Sequence, residues 1–262
     1  QQADSNMADV DDKQDSLTQV IEPPSIWWSL LEAPRAALEI SSIALKHREL
    51  LTAPRGDGHP VLVLPGYGAG DSIMYVLRYY LNRWGYDARP WNLGVNFTKT
   101  RITSIDQINA FREDMEARVA ARIEDLYNET GQKISVIGWS LGGIYANSMA
   151  EEVPQFLNHV ITLGAPYGDP RGTAAWNILK ALNASRTPDE QQDFDGWLKQ
   201  DVIVDRKTKT TVIYSPNDGI VAESAARLAE HDKIAHVPVN SSHVGFAFNP
   251  AVYRIIADTL AS

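Results

Sequence analysis

Short, mostly apolar segments alternate with longer amphipathic segments from about residue 59 onward. Val61–Leu64 has no polar position, which is typical of a parallel strand that is covered on both faces. The other predicted strands are Tyr86–Trp91, Lys133–Ile137, Val160–Leu163, Thr211–Tyr214 and Ile234–Val239. Because helical patterns separate these strands, we predict an α/β fold with a mostly parallel sheet of about six strands and helices on both faces.

The helices between the predicted strands are indicated by apolar residues that recur every three or four positions. Asp71–Ser72 could cap a helix that ends at Trp84, since short polar side chains are favoured at that position. Asn249–Pro250 predicts the start of the last helix. The longest helical pattern has an apolar face made of Ile105, Ile108, Phe111, Met115, Val119, Ile123 and Leu126.

The N-terminal part of the chain does not follow this alternation. Residues 1–22 are rich in Asp, Gln and Ser, and they predict a disordered acidic tail. Residues 23–56 predict an amphipathic helical segment with a broad apolar face. This helix could pack on the domain, or it could contact substrate or a lipid surface through its paired tryptophans. Four charged residues interrupt the apolar face: Glu32, Arg35, Glu39 and Lys46.

A second irregular interval separates Tyr167 from Lys209. It is far longer than the usual connection of about two to six residues between a strand and a helix. It contains two helical patterns, at Thr173–Leu182 and Asp189–Gln200. An insertion at the carboxyl edge of the sheet would cover the mouth of a site there, so we predict a helical cap at residues 169–209.

Composition limits the function classes that the chain can support. A length of 262 residues with 44% hydrophobic content allows one large core, so we expect residues 57–262 to form one domain. The net charge of −9 argues against a nucleic-acid partner or an anionic membrane that is bound through charge. The absence of cysteine excludes disulfides, thiolate metal sites and a cysteine nucleophile.

Membrane and export signals are not visible in the sequence. No stretch reaches the roughly 18 apolar residues that a membrane span needs, although peripheral contact with lipid remains open. The polar, acidic N-terminal segment does not resemble a secretory signal. We therefore expect a cytoplasmic protein, with a periplasmic or secreted protein as the alternatives.

The most informative motif is Gly138–Gly142, which reads Gly-Trp-Ser-Leu-Gly. A predicted strand precedes it and a helical pattern follows, as in a nucleophile elbow, a sharp turn that presents a serine above the edge of a sheet. Gly138 and Gly142 are expected because a Cβ at either position would collide with the strained turn around Ser140. The N-terminus of the following helix directs free N–H groups at the place where an oxyanion would form.

A serine hydroxyl becomes a nucleophile when a neighbouring base accepts its proton and a third group orients the base. Asp218 and His243 follow the last two predicted strands, so both should lie at the same sheet edge as Ser140. Asp218 could instead belong to an ordinary Asp-Gly turn, and Asp169 is the rival acid. Only His243 lies between the last strand and the last helix, unlike the other histidines: His47, His59, His159, His231 and His236.

Two main-chain N–H groups are expected to form an oxyanion hole. One belongs to Leu141, the residue after the serine, and the other to Tyr67, in the glycine-rich loop after the first strand. Gly66 lets this main chain approach a substrate closely. A phosphate-binding loop would need a lysine or a dinucleotide spacing that the segment lacks. We expect no metal and no cofactor. Substrate contacts are predicted at Trp139, Tyr167 and Trp176.

From about His59 onward the chain resembles the α/β-hydrolase superfamily, and within it the bacterial lipase and esterase branch. The resemblance implies that Ser140 is the nucleophile, His243 the base and Asp218 the acid, with Tyr67 and Leu141 as the oxyanion hole. It rests on five motifs that occur in the family's order: Leu64–Gly68, Gly138–Gly143, Thr162–Pro166, Ser215–Val221 and Ser242–His243. Two positions depart from the family pattern, since many lipases have histidine where this chain has Pro65 and Tyr167.

The same resemblance implies a serine hydrolase that cleaves carboxylic esters of small molecules or lipids through an acyl-enzyme, as a carboxylesterase or lipase does. Seven tryptophans and the predicted cap favour an apolar acyl chain, although these tryptophans could equally belong to the core. Two other functions are compatible with the same residues. They are an acyltransferase that uses the same triad and a non-catalytic binding protein on the same fold.

Overall fold

The computed structural model describes residues 23–98, 105–167, 172–174 and 206–262. The predicted tail lies outside this part of the chain, as do Asp169, Trp176 and most of the predicted cap insertion. The division into a tail, a helical segment, a domain and a cap therefore stays a prediction.

Six strands form one sheet in the order β2-β1-β3-β4-β5-β6, and every neighbouring pair runs parallel. The six predicted strands are thus confirmed, and all the loops that follow them leave the sheet at one edge. The strands are β1 (Pro60–Leu64), β2 (Asp87–Pro90), β3 (Ile134–Trp139), β4 (Leu157–Leu163), β5 (Lys209–Tyr214) and β6 (Ile234–Pro238).

Helices cover both faces of the sheet, as predicted. The described helices are α1 (Ile26–Leu50), α2 (Tyr75–Trp84), α3 (Ile105–Thr130), α4 (Leu141–Glu152) and α5 (Pro250–Leu260). Residues such as Leu77 of α2 and Ile256 of α5 pack on one face. Val119 of α3 and Tyr145 of α4 pack on the other face.

β1 shows why these strands have few polar positions. Val61 and Val63 belong to the core under α2 and α5, whereas Leu62 and Leu64 belong to the core under α3 and α4. All four side chains are fully buried. Because consecutive residues of a strand point to opposite faces, a strand that is covered on both sides is apolar throughout.

The two predicted helix caps have opposite outcomes. Asn249 caps α5, since its side-chain oxygen accepts a hydrogen bond of 2.8 Å from the main-chain N–H two residues later. The predicted cap at Asp71–Ser72 is wrong, because α2 begins only at Tyr75 and has no side-chain cap. The Asp71 carboxylate instead accepts hydrogen bonds from the main-chain N–H groups of Trp91 and Asn92, beyond the end of β2.

α1 packs on the domain through a side that carries both carboxylates and apolar residues, since Ala36 and Leu50 are buried there and Ile43 packs against the core under α2 and α5. Glu32 on this side is buried, and Glu39 contacts the loop after β6. Packing on the domain agrees with one of the two predictions for this segment, but the apolar side of the helix faces solvent. Trp27, for example, is 71% exposed. The other exposed large apolar residues of α1 are Ile26, Leu30, Leu31, Leu38, Ile40 and Leu45.

Candidate active site

Ser140 lies at a sharp turn between β3 and α4. Its φ of 53° and ψ of −121° place a residue with a side chain in a backbone region that favours glycine, the strained conformation of a nucleophile elbow. A Cβ at Gly138 would lie 2.2 Å from the main-chain oxygen of Gly142. A Cβ at Gly142 would lie 2.7 Å from the main-chain oxygen of Leu64. Steric contact therefore requires both glycines, for the reason that the motif predicts.

A chain of hydrogen bonds joins Ser140, His243 and Asp218. The Oγ atom of Ser140 lies 2.9 Å from Nε2 of His243, and Nδ1 of His243 lies 2.8 Å from Oδ2 of Asp218. With its proton on Nδ1, the imidazole donates to the carboxylate while Nε2 accepts from the serine hydroxyl. The structure thus brings together the three side chains that the sequence analysis selects, beyond the carboxyl ends of β3, β5 and β6.

The carboxylate of Asp218 is buried and fully engaged. Its Oδ1 atom accepts hydrogen bonds from the main-chain N–H groups of Ile220 at 2.7 Å and Val221 at 2.9 Å, while Oδ2 faces the imidazole. Asp218 also lies in a turn, because its N–H donates to the main-chain oxygen of Ser215 at 3.2 Å. Asp218 therefore lies in a turn and also contacts the imidazole, so the two interpretations of this residue are compatible. The rival acid, Asp169, lies outside the described residues.

Burial and charge act in opposite directions on His243. Burial lowers the pKa of the imidazole because it disfavours the charged form, but the carboxylates of Asp218 and Glu32 favour that form. With the hydrogen bond to Asp218, these charges prevail, and the pKa of His243 is raised above its ordinary value. A raised pKa favours proton transfer from the serine hydroxyl to the imidazole.

The loop after β1 packs directly against the serine. A Cβ at Gly66 would lie only 3.0 Å from Cβ of Ser140, so a larger residue would crowd the nucleophile. Among the described residues, the main-chain N–H of Tyr67 has no hydrogen-bond acceptor. Leu141 is the first residue of α4, where the helix itself does not use the N–H groups. Both N–H groups are therefore suitable donors to an oxyanion, and this role stays a prediction.

Asn96 holds the loop after β1 in place, although no motif or periodic pattern marks it in the sequence. Its buried side chain donates to the main-chain oxygen of Pro65 at 2.9 Å and accepts from the Tyr145 hydroxyl at 3.2 Å. Its main chain accepts from the N–H of Gly68 at 2.7 Å and donates to the oxygen of Ala69 at 2.8 Å. Three of these hydrogen bonds thus fix the loop that carries Tyr67, and the fourth joins Asn96 to α4.

A cavity of about 370 Å³ opens beside Tyr67 and Leu141. Tyr167, one of the predicted substrate contacts, lines this cavity. Along α4 the wall changes from apolar Ile144 to charged Glu151, which lies further from the serine. The remaining wall consists of Ile108, Phe111, Arg112, Glu116, Asn147, Ser148, Glu152 and Pro166.

Trp139 is buried and contacts the histidine loop. Its indole N–H donates to the main-chain oxygen of His243 at 3.0 Å, and the two ring centroids are 5.9 Å apart. A substrate contact at Trp139 stays a prediction, and Trp176 lies outside the described residues. Within the described ranges there is no group of three or more His, Asp or Glu side chains that could hold a metal ion. None of the described helices is long and apolar enough to cross a membrane.

α1 contributes two carboxylates to the loops that carry Asp218 and His243, a contact that no motif in the sequence predicts. Glu32 accepts hydrogen bonds from the main-chain N–H groups of Gly219 and His243. Glu39 accepts from the N–H of Ser242 at 3.0 Å. The sequence signal was present, because charged residues at positions 32, 35 and 39 are spaced to form one polar stripe along a helix.

Comparison with solved structures identifies the fold. The structure resembles the mature lipase BlEst2 of Bacillus licheniformis, with a TM-score of 0.54 and 17% identity over 80% of this chain and 94% of that one. It resembles the monoacylglycerol lipase of Paleococcus ferrophilus, with a TM-score of 0.52 and 16% identity over 80% and 96% of the chains. It also resembles a protein from Mycobacterium tuberculosis that is provisionally assigned as a non-heme bromoperoxidase, with a TM-score of 0.55 and 14% identity over 79% and 92%.

No protein-family model and no curated protein sequence matches the chain. The similar structures share the α/β-hydrolase fold, so this chain has that fold, as its motifs predict. The fold supports many reactions, and the different names of these neighbours illustrate this. The reaction of this protein therefore depends on the chemistry of its own site and does not follow from the fold.

Proposed function

We propose that the protein is a serine hydrolase that cleaves carboxylic esters through an acyl-enzyme. The observation that carries this proposal is the hydrogen-bond chain from Ser140 through His243 to Asp218, with distances of 2.9 and 2.8 Å. A serine on a strained turn, a buried imidazole within reach of it and a carboxylate behind the imidazole are the groups that make a hydroxyl nucleophilic. The lipase names of two structural neighbours agree with this reaction class.

Acylation begins with proton transfer from Oγ of Ser140 to Nε2 of His243 as Oγ attacks the acyl carbon. A bond forms between Oγ and the acyl carbon, and the carbonyl oxygen becomes an oxyanion. The N–H groups of Tyr67 and Leu141 are the proposed donors to this oxyanion. Loss of one such donor typically costs about 2.7–4 kcal/mol of transition-state stabilisation.

The tetrahedral intermediate then collapses. The bond between the acyl carbon and the alkoxy oxygen breaks, and His243 returns the proton to the leaving alcohol. Water attacks the acyl-enzyme while the same imidazole accepts its proton, and the carboxylic acid leaves Ser140. Asp218 stays ionised throughout and keeps the imidazole proton on Nδ1.

The cavity beside Leu141 supports an apolar acyl group of limited length. The wall contains the apolar side chains of Ile144 and Phe111 and the ring of Tyr167, whereas Glu151 and Glu152 lie about two turns beyond Ile144 along α4. An alkyl chain gains free energy from the apolar part of the wall, but a long chain would reach ionised side chains. We therefore propose a preference for medium-length acyl chains.

A series of p-nitrophenyl esters tests this preference. We expect kcat/KM to be highest between butyrate and octanoate and to fall for both acetate and palmitate. A maximum at acetate would contradict the apolar acyl site. A maximum at palmitate would contradict the limit that we derive from the charged end of the cavity.

The exposed apolar side of α1 supports contact with a lipid surface. Trp27 and Leu38 are each 71% exposed on this helix, and the net charge of −9 disfavours anionic lipid. We expect the full chain to float with phosphatidylcholine vesicles, and the double variant Trp27→Ser/Leu38→Ser to float less. Equal flotation of the two proteins would contradict this contact.

The proposed reaction is tested by Ser140→Ala. We expect this variant to lose hydrolysis of p-nitrophenyl butyrate while its circular dichroism spectrum and Tm stay those of the wild type. Retained turnover by the folded variant would contradict the assignment. Product analysis with and without an added alcohol distinguishes hydrolysis from acyl transfer by the same triad.

A further inference from the structure

One buried carboxylate on α1 joins the loops that carry Asp218 and His243. Glu32 is only 8% exposed. Its Oε1 atom accepts hydrogen bonds from the main-chain N–H of Gly219 at 2.8 Å and from that of His243 at 3.0 Å. Its Oε2 atom accepts from the N–H of His243 at 2.9 Å. Because Gly219 directly follows Asp218, the same carboxylate contacts the base and the neighbour of the acid.

The main chain of α1 packs closely against Gly219. A Cβ at this position would lie 2.4 Å from the main-chain oxygen of Trp28, and main-chain atoms cannot move away as a flexible side chain can. The hydroxyl of Ser29 donates to the main-chain oxygen of Gly219 at 2.6 Å. α1 therefore contacts both main-chain polar groups of Gly219, and a larger residue would displace the helix.

Glu32 has main-chain N–H groups as its described hydrogen-bond partners. Burial of a carboxylate is costly unless hydrogen bonds compensate for the lost water, and here they do so from two separate loops. A neutral side chain could also connect two loops. Holding the two loops together therefore does not by itself require the negative charge of Glu32.

The charged groups around His243 come from two elements. Asp218 contacts the imidazole from the loop after β5, and Glu32 contacts the main chain of His243 from α1. Glu39 and Arg35, also on α1, have no described hydrogen bond to His243. Glu39 contacts Ser242 and Asn249, and Arg35 contacts Asn217 and Asn240. Asp218 and Glu32 are the two carboxylates that favour the protonated imidazole.

We propose that Glu32 is a positioning residue for His243. Its carboxylate fixes the main chain of the base relative to the acid loop, and its charge stabilises the imidazolium that forms as Ser140 attacks. The effect on turnover rests on the proposed serine-hydrolase function, whereas the effect on the imidazole itself does not.

The test compares Glu32→Gln with the wild type and with Glu49→Gln, all as the full chain. Glutamine keeps the size of the side chain and removes its charge. Glu49 is a matched control, because it lies on the same helix with its side chain 60% exposed and paired with Lys46. Two quantities are measured: the pH profile of kcat/KM for p-nitrophenyl butyrate, and the titration of the His243 imidazole by NMR, assigned with a His243→Gln variant.

We expect Glu32→Gln to lower kcat by about ten- to a hundredfold with little change in KM, because charge-assisted hydrogen bonds to His243 and Gly219 are lost. Loss of the negative charge should also make the imidazole lose its proton at lower pH, so the acid limb of the profile moves to lower pH. Glu49→Gln should leave both measurements unchanged.

A folded Glu32→Gln protein with the wild-type imidazole titration would overturn the proposal, even if its turnover were reduced, since the effect would then be structural. If Glu32→Gln does not fold, the variant Glu32→Asp tests the proposal instead. It keeps the charge but shortens the side chain, so we expect a lower kcat with a nearly unchanged acid limb, and a wild-type kcat would overturn the proposal. Absence of ester hydrolysis by the wild type would contradict the proposed function, and the NMR titration would still test Glu32.

Discussion

The indole N–H of Trp139 donates a hydrogen bond to the main-chain oxygen of His243 at 3.0 Å. The residue before the proposed nucleophile therefore holds the loop of the proposed base. Glu32 accepts the main-chain N–H of the same histidine. Both main-chain polar groups of His243 are thus fixed, one from the end of β3 and one from α1, and the imidazole is held between Ser140 and Asp218.

Replacement of Trp139 by phenylalanine tests this relationship. The variant keeps an aromatic ring but loses the donor, at a cost of about 1 kcal/mol for one hydrogen bond. We expect kcat to fall by up to about tenfold, with KM little changed, in steady-state assays with p-nitrophenyl butyrate. A raised KM with an unchanged kcat would instead support the predicted substrate contact of Trp139.

Asp218→Asn should lower kcat by roughly 10⁴-fold, because an amide can stabilise the wrong imidazole tautomer. The measurement is kcat of the purified variant, with Tm as a check on folding. Asn217→Asp/Asp218→Asn is an informative second variant, since it moves the carboxylate by one residue and should not restore activity. A loss of only a few-fold would point to Asp169 as the acid.

The pH profile of kcat/KM should have an acid limb with its midpoint above 6.5, the ordinary pKa of histidine, because the pKa of His243 is raised by Asp218 and Glu32 more than burial lowers it. The base must be neutral, so activity is present above this midpoint and disappears as the pH falls through it. A midpoint at or below 6.5 in the free enzyme would contradict the described environment of His243.

His159 provides a prediction about stability. Burial, followed by the charges of Lys209 and His59, lowers its pKa from 6.5 to about 4. The unfolded chain therefore binds a proton at a pH where the folded chain does not, and stability decreases as the pH falls from 6.5 towards 4. Between pH 7 and pH 5 this decrease amounts to about 2 kcal/mol.

His159→Gln should remove this part of the pH dependence, since glutamine does not titrate. Urea unfolding of both proteins at pH 7 and pH 5 measures it, and the variant should lose about 2 kcal/mol less free energy of unfolding than the wild type. An equal loss in both proteins would mean that His159 is not the group responsible.

The sequence predicts the sheet and the three central side chains for a common physical reason. Val61–Leu64 is covered on both faces, so its pattern is almost independent of which helices cover it. Parallel strands deliver their following loops to one edge, so Ser140, Asp218 and His243 can be selected without knowledge of their distances.

Contacts between distant segments are not predictable in this way. Glu32 binds Gly219 and His243, which are 187 and 211 residues away, and no local pattern specifies those partners. The helix cap that the sequence predicts at Asp71 is wrong for the same reason, since the hydrogen-bond donors to its carboxylate lie 20 and 21 residues later in the chain. The orientation of α1 also depends on such distant contacts, because those of Glu32 and Glu39 leave most of its large apolar side chains facing solvent.

The most direct test of the central claim is covalent labelling of the wild type by a fluorophosphonate probe, read by mass spectrometry of the labelled peptide. The probe reacts with a serine only when a neighbouring base activates it. We predict one labelled residue, Ser140, with labelling lost in Ser140→Ala and strongly reduced in His243→Gln. An unlabelled, folded wild type, or labelling that persists in Ser140→Ala, would contradict the account.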